Sequence, residues 1–140
     1  MSEDLPIGEY AFPGPLRDRL VGAILAGEKT STSSLVIGWE HDGEPLPQVG
    51  DREAVVDSDG QPVCVTENVA VTVCRLADVT LEHAIAEGEG FSTVAQWRAG
   101  HEEFWHSAEV RAELDDPTFT VDDDTLVVCV AFRLLRRLPG

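Results

Sequence analysis

A chain of 140 residues, 43% of them hydrophobic, is expected to form one compact domain with a sizeable core rather than two. No window approaches the ~20 apolar residues of a membrane-spanning helix, and the first four residues lack the basic and apolar segments of a secretory leader. With 26 acidic against 10 basic residues, the formal charge of -16 repels polyanions at long range and disfavours extended tracking along DNA or RNA. A local pocket for a nucleoside, a nucleotide or one flipped base remains compatible with that charge.

The three cysteines, Cys64, Cys74 and Cys129, are odd in number and far apart, which points to a reducing cytoplasm. Residues 1–14, rich in proline and glycine, read as an extended lead-in, and 15–138 as a single domain. Pro15 suits a first helical position. Leu16, Leu20, Val21, Ile24 and Leu25 then recur at helical spacing, and Gly27 stands where a left-handed C-terminal cap belongs. Residues 30–40, containing Leu35, Val36, Ile37 and Trp39, read as one strand, broken by the Pro- and Gly-bearing stretch that follows. Residues 52–56 and 61–75 read as the two arms of a hairpin around Asp57-Ser58-Asp59-Gly60. Thr80 and Ser92 are candidate N-caps for a short helix near 81–87 and a longer one over 93–113, separated by Gly88-Glu89-Gly90. Thr118 to Val121 is a further candidate strand, and 125–136 a final strand apolar on both faces. Strands that pair locally and close with a C-terminal strand predict an α+β domain on a small mixed β-barrel with flanking helices.

Lys29 is the only lysine, and it lies just past the first helix end, in Gly27-Glu28-Lys29-Thr30-Ser31-Thr32-Ser33-Ser34. An amine can lose its proton when buried and a guanidinium cannot, so this lone position is a candidate for chemistry. In an unbroken strand, Val63, Val65, Glu67, Val69, Val71 and Val73 share one face, with Glu67 its only polar member. An inward carboxylate needs a partner, and Lys29 is the economical one; a β-bulge near Glu67-Asn68 would instead turn the side chain to water. The run His101-Glu102-Glu103-Phe104-Trp105-His106 spaces its histidines by five residues instead of the four of a zinc-protease helix, so no metal site is read there. Asp57–Gly60 and Asp122–Asp124 lack the ligand spacing of a calcium loop. Trp97 and His101 form part of an aromatic helix stripe, either core-facing or a wall on which a planar base could stack.

Gly27-x-Lys29-x-x-Thr32, together with Leu46-Pro47-Gln48-Val49-Gly50-Asp51, Pro62-Val63-Cys64-Val65-Thr66-Glu67, Glu87-Gly88-Glu89-Gly90 and Trp97-Arg98-x-x-His101-x-x-Phe104, resembles a bacterial subgroup of the ASCH family over roughly residues 15–135. The resemblance implies a PUA-like barrel with the lysine motif lining a cleft. Some ASCH relatives are amidohydrolases that deacetylate acetylcytidine with a Lys, a Thr three residues later and a Glu on a strand. By that likeness the catalytic set would be Lys29, Thr32 and Glu67, working without metal or cofactor. A desolvated Lys29 amine would take the Thr32 proton, or that of Ser31 or Ser33 if the register differs by one. Ser34 stands where many relatives carry arginine, so an anion contact there is either missing or supplied by Arg52, Arg75 or Arg98. Other relatives resemble RNA-binding modules or ribonucleases. The alternatives are therefore a pocket that binds a modified nucleoside or a short single-stranded RNA end, using Trp97, Arg98 and His101, or a ribonuclease.

Overall fold

Helix α1 (Pro15–Leu25) starts on a proline, whose missing N–H costs nothing at a helix N-terminus, and ends in a glycine closure. Gly27 takes a positive φ of 78°, the Glu28 N–H donates to Ala23 O at 2.9 Å, and the Gly27 N–H donates to Ile24 O at 3.1 Å. This pair of bonds is a Schellman motif, and it turns the chain so that Lys29 points inward as the next strand begins. The structure, a computed structural model, describes residues 5–139; residues 1–4, read above as lacking a secretory leader, lie outside the described residues.

Five strands form one mixed sheet in the order β1-β3-β4-β5-β2: β1 (Ile7–Gly8), β2 (Ser31–Leu35), β3 (Arg52–Val56), β4 (Pro62–Arg75) and β5 (Leu126–Arg137). β3, β4, β5 and β2 pair antiparallel in that order, while β1 adds in parallel to β3. The expected hairpin forms, its turn closed by Asp57 Oδ1, which accepts from the Asp59 and Gln61 N–H groups at 2.9 Å each. Helices α2 (Val36–His41), α3 (Leu81–Ala86), α4 (Val94–Trp105) and α5 (Ala108–Glu113) complete an α+β domain. None of the helices is long and apolar enough to cross a membrane.

Several elements differ from expectation. The strand read over 30–40 ends at Leu35, the last residue to pair with β5, opposite Val127. Val36 onward is helical, because an apolar run this short fits either state and β5 has only its first residue, Leu126, left to pair with. The long helix read over 93–113 is two helices: the Ser107 hydroxyl accepts from the Val110 N–H at 3.3 Å and so starts α5 with a new cap. Thr93, rather than Ser92, caps α4. Residues 118–121 pair with no strand; Phe119 and Val121 are nonetheless buried.

The unbroken alternation expected along β4 also fails. Its register against β5 shifts between Val65 and Thr66 and again between Asn68 and Ala70. Val65 is therefore buried while Val69 and Val73 are 48% and 45% exposed.

Two apolar clusters flank the sheet. One joins Leu35, Leu76, Ala84, Trp97, Trp105 and Val127 beneath α3 and α4; the other joins Tyr10, Leu20, Val21, Ile24, Val55 and Phe132 beneath α1. Lys29 projects into the interior near both, its ammonium 5.9 Å from the centre of the Tyr10 ring.

Candidate active site

The loop after α1 brings Lys29, strand β2 brings Ser31 and Ser33, the end of α3 brings His83 and Glu87, and α4 brings Trp97 and His101. The end of α3 is pinned to the lysine loop by backbone. Thr30 N–H donates to Ala86 O at 2.9 Å, and Gly88, at φ 70°, packs so closely that a Cβ would collide with the Glu28 carbonyl. Only glycine combines that dihedral with that approach.

Lys29 is 2% exposed. Its Nζ donates to Ser31 O at 2.9 Å and to Glu87 O at 3.3 Å, and lies 3.9 Å from both Glu87 Oε1 and Glu89 Oε2. Burial lowers the ammonium pKa, and the two carboxylates oppose that shift without cancelling it.

Glu87 is the hub, 1% exposed. Its Oε2 accepts from Ser33 Oγ at 2.6 Å and Trp97 Nε1 at 2.9 Å and lies 2.9 Å from His83 Nε2; its Oε1 lies 3.0 Å from His101 Nε2. Burial alone would raise this carboxyl, but the hydrogen bonds from His101 and His83 and the charges of His101 and Lys29 hold it far below the usual carboxylate range. His101 Nδ1 lies 2.8 Å from the Trp97 carbonyl, which can only accept. With an ionised carboxylate at its other nitrogen, His101 carries both protons. Its pKa is raised accordingly, the Glu87 and Trp97 contacts outweighing burial. Glu89 is raised by burial and by the Glu87 carboxylate beside it.

Ser33 completes the arrangement. Its Oγ lies 2.7 Å from His83 Nε2 as well as 2.6 Å from Glu87 Oε2, so a hydroxyl, an imidazole and a buried carboxylate meet at one point. The side chains of His83 and His101 are each 13% exposed and that of Glu89 14%, which makes them the rim over a floor of Lys29 and Glu87. Among the described residues, Glu87, Glu89 and His101 also form the one group with three metal-competent atoms within 4.8 Å of one another. The Lys29 ammonium already supplies positive charge to both carboxylates, so a metal there would compete with it.

The residues expected from sequence are distributed unevenly around this centre. Lys29, Ser31 and His101 belong to it, Ser31 through a hydroxyl bond to His83 O at 3.1 Å. Thr32 and Ser34 alternate onto the opposite side of β2, where Ser34 Oγ accepts from Trp39 Nε1 at 2.9 Å. Glu67 is not the partner of Lys29. It is bound by Arg52 at 2.9 Å and Arg133 at 2.7 Å, its neighbours across β3 and β5, and these hold its carboxyl below the ordinary value. Trp97 is fully buried, its indole N–H donated to Glu87 and its face stacked on His101 at 4.2 Å, so it offers no surface to a base. Arg98 is paired with Glu102 at 3.0 Å and Asp123 at 2.6 Å. His106 accepts from the Val121 N–H at 3.0 Å, far in role from a metal ligand.

Sequence reasoning left His83, Glu87 and Glu89 without a role. The signal available was the i, i+4 spacing of His83 and Glu87 on one helix face, next to the Gly88-Glu89-Gly90 turn.

The sheet order, the flanking helices and the buried lysine beside β2 define a PUA-like α+β domain. The ASCH domain profile matches residues 9–136, and the chain belongs to the ASCH domain family. Among solved structures, it is similar to an ASCH domain from Lactobacillus crispatus, with 29% identity, a TM-score of 0.74, and coverage of 92% of this chain and 79% of that one. Protein EF3133 from Enterococcus faecalis shares the fold at 23% identity and a TM-score of 0.80, over 98% of this chain and 78% of that one. A variant of ZmASCH from Zymomonas mobilis shares it more distantly, at 12% identity and a TM-score of 0.52, over 94% and 73%. No curated protein matches the chain.

Proposed function

We propose that this protein is a small hydrolase of an acylated nucleoside or similar amide, with Ser33 as its nucleophile. The observation that carries this reading is the Ser33 hydroxyl held between His83 Nε2 at 2.7 Å and the buried Glu87 carboxylate at 2.6 Å. Nucleophile, base and orienting carboxylate within hydrogen-bond reach are what covalent acyl transfer requires.

At rest His83 Nε2–H donates to Glu87; the step uses the other tautomer, protonated at Nδ1, whose bare Nε2 can accept a proton. The Ser33 proton swings from Glu87 to His83 Nε2 as Oγ attacks the acyl carbonyl carbon. The tetrahedral intermediate collapses by breaking the C–N bond, and the departing amine takes the proton from His83. Water, giving its proton to the same nitrogen, then attacks the acyl-serine ester, releases the carboxylic acid and restores Ser33.

Lys29 acts as a positioning residue. Its side chain is 1% exposed and its bonds go to the Ser31 and Glu87 carbonyls, so it holds β2 against the end of α3 and keeps Glu87 ionised. Thr32, on the other side of the strand, takes no part. The deeply seated centre and the acidic surface favour a small nucleoside-like ligand over a long RNA.

Ultraviolet-monitored hydrolysis of acetylcytidine tests the assignment. Ser33→Ala should lower kcat by about a hundredfold or more, while Thr32→Val retains turnover. Full activity in Ser33→Ala would exclude Ser33 as the nucleophile. Binding of cytidine without turnover of the acetylated form would favour a non-catalytic nucleoside-binding module.

A further inference from the structure

A cavity lies beside the proposed centre. It holds about 400 Å³ between α1 and the 88–89 turn, and Arg19, Gly22, Ala26, Glu28 and Glu89 are among the residues lining it. Glu89 joins this cavity to the proposed centre: it lines the one, and its carboxylate stands 3.9 Å from Lys29 in the other.

Two observations mark this cavity as a binding site. The first is Arg19. Of the ten lysine and arginine side chains, it alone has no hydrogen bond or ion pair among the described residues, in a chain with 26 carboxylates to offer. Arg52, Arg75, Arg98 and Arg133 are all paired with acids, and Arg17, Arg111 and Arg137 donate to backbone carbonyls. The second is Gly22. It sits inside α1, where glycine weakens a helix relative to alanine, yet nothing lies within 4 Å of where its Cβ would be. No neighbour demands a glycine there. The missing side chain leaves the cavity open.

The charges of the cavity are segregated along its length. Arg19 and Ala26 are seven residues apart, ~10 Å along a helix. Glu28 follows Ala26 just past the helix end and Glu89 stands beside Lys29, whereas Arg19 lies about two turns back along α1. A ligand that fits presents hydrogen-bond donors to the carboxylates and an anion to the guanidinium, which is the polarity of a nucleotide running from base to 5′-phosphate.

We propose that Arg19 binds a phosphate, so that the substrate of the hydrolase proposed above is an acylated nucleoside monophosphate in preference to the neutral nucleoside. The selection rests on that hydrolase reading; the phosphate contact itself does not.

The test compares kcat/KM for acetylcytidine and acetylcytidine 5′-monophosphate. The wild type should prefer the phosphorylated form by about tenfold, expressed in KM, and in Arg19→Gln the ratio should fall to about one. Arg19→Lys should restore part of the preference, and Gly22→Leu should raise KM for both substrates by filling the cavity. Equal use of the two substrates by the wild type, or a preference that survives Arg19→Gln, would overturn the proposal. If neither substrate is hydrolysed, the hydrolase reading fails and equilibrium binding decides the contact on its own. Tighter binding of cytidine 5′-monophosphate than of cytidine, lost in Arg19→Gln, would support it; equal binding would overturn it.

Discussion

At the scale of single residues, the chemistry converges on Glu87, which is ionised although buried because four donors and a lysine surround it. Composition alone singled out Lys29, and its burial beside two carboxylates fits an amine kept for something other than solvation. Its partner was illegible, because the parity that aimed Glu67 inward is lost at the two register shifts of β4. Removing one member of a buried pair leaves the other uncompensated, so Lys29→Met should cost about 3 kcal/mol in urea unfolding. A loss under about 1 kcal/mol would mean that Glu87 does not depend on the ammonium.

The same cluster sets a pH dependence. The His101 pKa is raised in the folded state, so its contribution is complete below its ordinary 6.5 and is lost as pH rises through the folded value. The Glu87 pKa is depressed, so its contribution is complete above its ordinary 4.5 and is lost only as pH falls. The stability gap between wild type and His101→Gln should therefore be widest between those two values and narrow at higher pH. A gap that widens from pH 6.5 upward would show that His101 is not charged.

At the scale of elements, α1, the β3–β4 hairpin, α3 and β5 were legible because each carries a local signal: a proline start, an Asp-Gly turn, a threonine cap, an unbroken apolar run. The errors share one cause, which is that neighbours decide what a short segment does. Val36–His41 turned helical where β5 had only Leu126 left to pair, and β1 depends wholly on β3. Thr32 and Ser33 could not be told apart until the pairing of Ser33 with Cys129 fixed which hydroxyl faces α3. Two glycines give opposite expectations. Gly88→Ala forces a side chain into the Glu28 carbonyl at a positive φ and should cost about 2 kcal/mol or more. Gly22→Ala sits in open space within α1 and should stabilise by about 1 kcal/mol. Thermal unfolding separates them, and equal effects of the two would contradict the packing of the 87–90 turn against the lysine loop.

At the scale of the whole molecule, the charge of -16 was fully legible and remains the strongest constraint on partners. Non-specific nucleic-acid binders typically reach ~10⁻⁴ to 10⁻⁶ M at physiological salt. This protein should show no affinity for long single-stranded RNA in that range, and micromolar binding by filter retention would favour the RNA-binding alternative. The fold brings α1, β2, α3 and α4 together around one hydroxyl, and the central claim is that this hydroxyl carries the acyl group. The direct measurement is peptide mapping by mass spectrometry of the wild type, quenched in acid during turnover of acetylcytidine. An acetyl group on Ser33, absent in His83→Ala, is the predicted result; an acetyl group on Thr32, or steady turnover with no acylated peptide, would contradict it.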